Sequence, residues 1–306
     1  MNVIAVVVTY NRKELCRECL EGIFSSSYPV QEVILIDNAS TDGTKEYLEE
    51  QGLLSKTDYH LMDTNTGGSG GFYEGLRLGR EKDCDFFWIM DDDTIPNKDT
   101  LKGLIDAYES IDEDVSFLAS AVYGPNGEAM NVPNISEQKD ANGYKNWYKQ
   151  LEYGAVKLAD ATFVSLLIRK EAVLKCGLPC KDYFIWGDDS EYTMRLIRHY
   201  GPAYLIGSSK VLHKRFNSRS LSLKDEDNEG RIAVYAYFYR NILINKSLYN
   251  GRKAWLRFLL GAYRTAYRSL GTVYGMKKFK AVHKGIWGYI TEKKKFEEYI
   301  KKELQE

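Results

Sequence analysis

Four short apolar runs, each followed by a polar cluster, restrict what the first ninety residues of this chain can fold into. "NVIAVVVT" is β-branched and too apolar for an edge strand, and "RKELCRECLEGIF" follows it with helical spacing. "EVILID" and "TKEYLEE" repeat the pair. "YHLMDT" is a weaker third strand, and the glycine-rich "NTGGSGGFYEGLRLGRE" runs into a helix before "DFFWIM" makes a fourth strand. Such alternation predicts an α/β fold, an open and mostly parallel sheet with helices on both faces. Ligands of these sheets gather beyond the carboxyl ends of the strands. Thr9, Tyr10, Asn11 and Arg12 stand there after the first strand, Asp37 and Asn38 after the second, and Asp91, Asp92 and Asp93 after the fourth.

The last cluster asks for a cation. In "FFWIMDDDTIP" a buried segment ends in three adjacent aspartates. One is ordinary turn or cap chemistry, but three repel one another and are costly to desolvate without compensation. A divalent metal carrying a phosphorylated ligand supplies it. "TNTGGSGGF" lacks the GK[ST] ending of a Walker A loop and does not follow the first strand, as a dinucleotide fingerprint would. It reads either as a flexible loop before a helix, or as a cradle where Gly67, Gly68, Gly70 and Gly71 admit a ligand that Asn65 hydrogen-bonds.

With 306 residues, 44% of them hydrophobic, the chain can bury the core of one large domain plus an appendage. No apolar run reaches the roughly 18 residues of a membrane span, and the first residues lack a basic start and a cleavage site, so a cytoplasmic location is expected. Cys16 and Cys19 share an apolar helix face with Leu15, Leu20 and Ile23. Without a second ligand pair, this CxxC reads as buried thiols and not as a zinc or redox site.

"VVVTYNR", "LIDNASTDGT", "NTGGSGGF" and "WIMDDDTIP" occur in an order and spacing that resemble family 2 glycosyltransferases, over about residues 1–245. The resemblance implies the GT-A fold and mostly inverting sugar transfer. It places Thr9, Arg12, Asp37 and Asn65 on the nucleotide, Asp91 and Asp93 toward Mn2+ or Mg2+ on the diphosphate, and Asp92 nearer the sugar. Such transfer needs a carboxylate to take the acceptor proton and a cation for the leaving diphosphate. "YFIWGDDSEYTMRLIRHYG" brings Asp188, Asp189 and Glu191 to the start of a helical pattern, where the helix dipole favours anions; an N-cap explains one acid, not three. His213 in "KVLHKR" reads by itself as structural, like His60, His199 and His283, but the resemblance makes it the third metal ligand.

"FIWGDDSEY", His213 and the later "YAYFYRNILI" look like the galactofuranosyltransferase branch, with bacterial rhamnosyltransferases close behind. The branch implies Asp189 as the base beside Asp188, with Trp186 and Glu191 in the acceptor site. Gly187, between Trp186 and Asp188, departs from the branch pattern. The implied reaction moves galactofuranose from UDP-galactofuranose, or rhamnose from dTDP-rhamnose, to a cell-surface glycan or its polyprenyl-diphosphate-linked precursor. With no large extra N-terminal domain in the sequence, one or a few residues are expected to be added. A nucleotidyltransferase is expected to carry a basic glycine-rich loop near the first strand, and "TYNRKEL" is not one. A non-catalytic sugar-nucleotide-binding module does not need Asp91, Asp93, Asp189 and His213 together. No nucleic-acid partner is expected.

Net charge is −1 overall, but residues 251–306 carry 14 Lys and Arg against 5 Asp and Glu, a net of +9, leaving −10 for residues 1–250. The expected division is therefore a GT-A domain over 1–250 and a basic, aromatic helical region over 251–306. There Trp255, Leu259, Tyr263, Leu270 and Tyr274 fall near one stripe, flanked by Arg252, Lys253, Arg257, Arg264, Arg268, Lys277 and Lys278. Two readings stay open. The stripe packs on the catalytic domain or a second subunit, or it lies on the anionic inner face of the cell membrane.

Overall fold

The computed structural model describes residues 1–215 and 222–304. Its first half follows the alternation: β1 (Val3–Thr9), α1 (Lys13–Phe24), β2 (Glu32–Asp37), α2 (Thr44–Glu50), β3 (Asp58–Leu61), α3 (Gly67–Gly79) and β4 (Phe86–Asp91). β1 lies between β2 and β4, parallel to both, and β2 carries β3, also parallel. Every residue of β1 is buried because strands cover both its edges and helices both its faces. Register sets the chemistry: Thr9 pairs with Asp37, and Val8 with Asp91, so the polar clusters end at one level of the sheet.

Beyond β4 the sheet becomes mixed. β5 (Thr94–Pro96), α4 (Thr100–Ser110), β6 (Phe117–Tyr123), β7 (Ala155–Lys157), β8 (Leu166–Arg169), α5 (Lys170–Cys176), α6 (Asp188–His199) and β9 (Ala203–His213) complete the sheet and its flanking helices. The strand order is β3-β2-β1-β4-β8-β6-β9-β5, with β7 on β9. β8 is antiparallel to β4 and β6, β9 is parallel to β6, and β5 and β7 are antiparallel to β9. The β5–β9 pairing puts Thr94 opposite His213, which carries the histidine to the acidic motif. The five cysteines are buried free thiols.

Three helices follow: α7 (Glu229–Asn245), α8 (Gly251–Ser269) and α9 (Gly275–Glu303). They share one apolar core, with Ile232, Tyr239 and Leu243 of α7, Ala262 and Ala266 of α8, and Val282 and Ile286 of α9. Glycine at 285 lets α9 approach the α7 backbone: a Cβ there lies 2.6 Å from Ala236 O. The far end of α9 returns to the sheet's flanking helices, where Glu303 Oε2 accepts from Leu178 N at 2.7 Å. Residue 250 thus falls inside a helical layer that α7 already begins.

Candidate active site

The acidic motif is organised by the end of β1. Thr9 Oγ1 donates to Asp92 Oδ2 at 2.8 Å, and Tyr10 N donates to the same oxygen at 3.3 Å. Arg12 Nη1 donates to Asp92 Oδ1 at 3.2 Å and to Asp93 Oδ2 at 2.7 Å. Thr9 and Asp92, expected to meet the substrate, are 1% and 3% exposed and hydrogen-bond each other. Both Asp92 oxygens are consumed holding β1 to the motif, and the Thr9 hydroxyl is spent on the same bond. Burial raises the Asp92 pKa to about 6 against the lowering pull of Arg12.

Asp93 and His213 meet directly, with Nε2 2.9 Å from Asp93 Oδ1. Burial opposes ionisation of Asp93, but His213 and Arg12 outweigh it and hold its pKa below the usual carboxylate value. His213 Nδ1 lies 2.9 Å from Asn131 Oδ1, so the asparagine holds the ring from the side opposite Asp93. Asn131 sits at φ 46, left-handed backbone that a non-glycine residue adopts only when its surroundings fix it. Sequence reading missed this orienting residue.

Asp91 differs from its neighbours. Its carboxylate makes no hydrogen bond or ion pair with a described residue, and desolvation, then the charges of Asp93 and Asp92, raise its pKa well above the usual range. Such a carboxylate, next to the Asp93–His213 pair, fits a divalent cation. Among the described residues, however, no three His, Cys, Asp or Glu side chains already form a cage. A cation there therefore needs oxygens from its substrate as well.

The nucleotide side is built by β2 and the glycine loop. Asp37 accepts from Ser40 N and from the Tyr59 hydroxyl, both at 2.8 Å. Asn38 pins the loop: its Nδ2 donates to Gly67 O at 2.8 Å and to Asn65 Oδ1 at 3.2 Å, and its Oδ1 accepts from Thr66 N. The cradle reading of the glycines is corrected by packing. A Cβ on Gly67 (φ 73) lies 1.9 Å from Phe184 O, one on Gly70 2.2 Å from Thr66 Oγ1, and one on Gly71 2.4 Å from Val8 Cγ1. They let α3 press against β1 and the Phe184 loop. Only at Gly68, of the four, does a Cβ meet open space.

Opposite stands the head of α6. The Asp188 charge is the smallest of the influences that raise Asp91, so the head of α6 stands within electrostatic reach of the acidic motif. Burial raises Asp188 to about 6, although backbone N–H groups of the helix start and the buried Ser69 hydroxyl favour its anion. Burial, then the Asp188 charge, lifts Asp189 to about 7. The turn before them is strained: Phe184, Trp186 and Gly187 have φ of 66, 61 and 95. Helix α7 holds it there. Asn241 Nδ2 donates to the carbonyls of Tyr183, Ile185 and Trp186 at 3.0, 3.0 and 2.8 Å, Asn245 Nδ2 to Gly187 O at 2.7 Å, and Arg240 Nη2 to Asp182 O at 2.8 Å. Trp186 leans on Tyr235 and Phe238 of the same helix.

Glu191 is not in the acceptor site. It and Arg195 are fully buried and paired, Nη2 to Oε2 at 3.0 Å and Nε to Oε1 at 3.1 Å, with the Tyr249 hydroxyl on Oε1 at 2.6 Å. Arg195 also donates to the carbonyls of Cys176 and Leu178. The i,i+4 spacing of Glu191 and Arg195 was the signal in the sequence.

This architecture, with acidic groups from two halves converging at the sheet end, is that of a sugar-nucleotide-dependent transferase of the GT-A type. The Glycosyl transferase family 2 profile matches residues 4–177, and the chain belongs to that family. It is therefore a glycosyltransferase. It is 26% identical over 214 residues to the galactofuranosyltransferase GlfT1 of Mycolicibacterium smegmatis, covering 69% of this chain and 70% of the relative. It is 28% identical to the undecaprenyl-phosphate mannosyltransferase of Micrococcus luteus, over 65% of this chain and 79% of the relative. In fold it is similar to the mannosyltransferase PcManGT of Pyrobaculum calidifontis, solved with GDP-Man and Mn2+, at TM-score 0.56 and 17% identity over 95% of this chain and 87% of that one. Asp188, Asp189 and His213 lie beyond the segment that the family profile matches.

Proposed function

We infer that the enzyme transfers a hexose from a nucleoside-diphosphate donor to a sugar hydroxyl with inversion. The observation that carries this reading is the Asp93–His213 pair beside the unpartnered Asp91 at the carboxyl end of the sheet, with the Asp188 charge of the α6 head acting on Asp91. Galactofuranose from UDP-galactofuranose is the first candidate donor, supported by the likeness to GlfT1, and dTDP-rhamnose the second. The acceptor is a cell-surface glycan or its polyprenyl-diphosphate-linked precursor, met at the inner face of the membrane. In this division of labour residues 1–250 carry the chemistry and residues 251–306 bring it to the acceptor.

Asp189, as a carboxylate, accepts the proton of the acceptor hydroxyl while that oxygen attacks the anomeric carbon. The carbon's bond to the diphosphate oxygen breaks in the same step, so configuration inverts and no covalent enzyme intermediate forms. When bound, Mn2+ or Mg2+ would neutralise charge on the departing diphosphate, held by Asp91, Asp93 and His213. Among the described residues Arg12 spends only Nη1 on the aspartates, which leaves further donors to meet a phosphate. Asp37 and Asn65 border the nucleoside, and Trp186 the acceptor.

The test is incubation with Mn2+ and a panel of UDP-sugars and dTDP-rhamnose. Slow release of UDP or dTDP supports glycosyl transfer and names the donor, pyrophosphate indicates nucleotidyl transfer, and tight binding with no release indicates a binding module. Asp93→Ala and His213→Ala are each expected to weaken Mn2+-dependent UDP binding by at least about tenfold. Calorimetry that finds affinity unchanged in His213→Ala returns the histidine to a purely structural role.

A further inference from the structure

The chain from residue 251 to 291 contains nine Lys and Arg and no Asp or Glu. The α7–α9 core consumes one face of α8, through Trp255, Phe258, Leu259, Ala262 and Ala266. That leaves a second apolar stripe. Leu256, Leu260, Tyr263, Tyr267 and Leu270 fall within about 40° of one line at 3.6 residues per turn. All are exposed, Leu260 by 61% and Tyr267 by 62%. Tyr263 packs edge-on to His283 and Tyr267 to Phe279, so the stripe borders α9. On that flank of α9 stand Met276, Trp287 and Ile290, exposed by 58%, 66% and 63%. Val273 and Tyr274 continue the surface around the turn between the helices. The two stripes therefore form one apolar surface, edged by exposed Arg257, Arg264 and Arg268 on α8 and by Lys280 and Lys284 on α9.

The geometry points to this surface as the one that inserts into an anionic bilayer, with α8 and α9 lying in the interface. Two of the five stripe residues expected from sequence, Trp255 and Leu259, face the helical core instead. Tyr263, Leu270 and Tyr274 of that stripe remain exposed, joined by Leu256, Leu260, Tyr267, Trp287 and Ile290. Charge selects the occupant. A second copy of the chain would set two wholly cationic surfaces against each other. Nucleic acid rewards basic and aromatic groups but not exposed aliphatic tips such as Leu260 and Ile290. A membrane rewards both, because apolar side chains reach the acyl boundary while Lys and Arg meet lipid phosphate. This assignment rests on the helical surface alone and stands or falls independently of the donor.

The test uses the intact protein with vesicles of phosphatidylcholine, or of phosphatidylcholine and phosphatidylglycerol. Expected are co-sedimentation with the anionic vesicles at low salt, release at high salt, and a blue shift of tryptophan emission that disappears in Trp287→Phe. Leu260→Ser with Tyr267→Ser should abolish attachment with no change in melting temperature, because both side chains are exposed. Arg264→Gln and Arg268→Gln should weaken partition about fivefold per charge removed. Equal sedimentation with neutral and anionic vesicles, or binding indifferent to these substitutions, overturns the proposal. So does a concentration-dependent dimer that Leu260→Ser dissociates, which would make this face a contact between copies.

Discussion

Asp189→Asn is expected to lower transfer by about a thousandfold while leaving Mn2+-dependent donor affinity nearly unchanged. The carboxylate stands at the head of α6, away from the Asp93–His213 pair, and burial with the Asp188 charge lifts its pKa to about 7. A base must be ionised to act. In the wild type kcat/KM should therefore rise with pH about tenfold per unit below 7 and flatten above it, and the residual rate of Asp189→Asn should lack this limb. Stability runs the other way. A carboxyl whose folded pKa exceeds its unfolded value favours folding at low pH, and that contribution is lost as pH rises from about 4 through about 7. Asp189→Asn should thus melt no lower than wild type at pH 8. Donor affinity falling as far as the rate would mean that Asp189 holds the donor, and an unchanged pH profile would move the base to Asp188.

Glu191→Ala should produce the largest loss of stability, about 3–5 kcal/mol, because it leaves the fully buried Arg195 without its carboxylate. The guanidinium cannot escape by losing its proton, because arginine stays protonated at any working pH. Urea unfolding measures the effect. Glu191→Ala with Arg195→Met should recover part of it, since the double variant leaves no lone charge. A variant that unfolds normally but requires more acceptor would restore Glu191 to the acceptor site.

These two carboxylates, only two positions apart, mark how far the sequence could be read. Strand and helix alternation up to Asp91 was legible because each element there repeats a local period and the parallel pairings follow from it. The antiparallel strands beyond β4 were not, since β8 reaches β4 from about eighty residues away. Three acids at a helix start looked like one site. The structure divides them, because one had an arginine a turn later on the same face and the other two did not. Asn131 and Asn241 were invisible for another reason: each acts on a group 55 to 82 residues distant, and an isolated asparagine has no local pattern.

The mounting of the strained turn on α7 also bears on how such enzymes can be recombined. The amide of one asparagine and the guanidinium of its neighbour secure the loop that presents the base, while the same helix forms the floor for α8 and α9. A chimaera that joins this chain to a foreign C-terminal segment between α6 and α7 would lose that fastening. Its base loop would then be free to relax out of its left-handed backbone. Exchange of acceptor preference by domain grafting should succeed only when residues 182–187 and α7 travel as a single cassette.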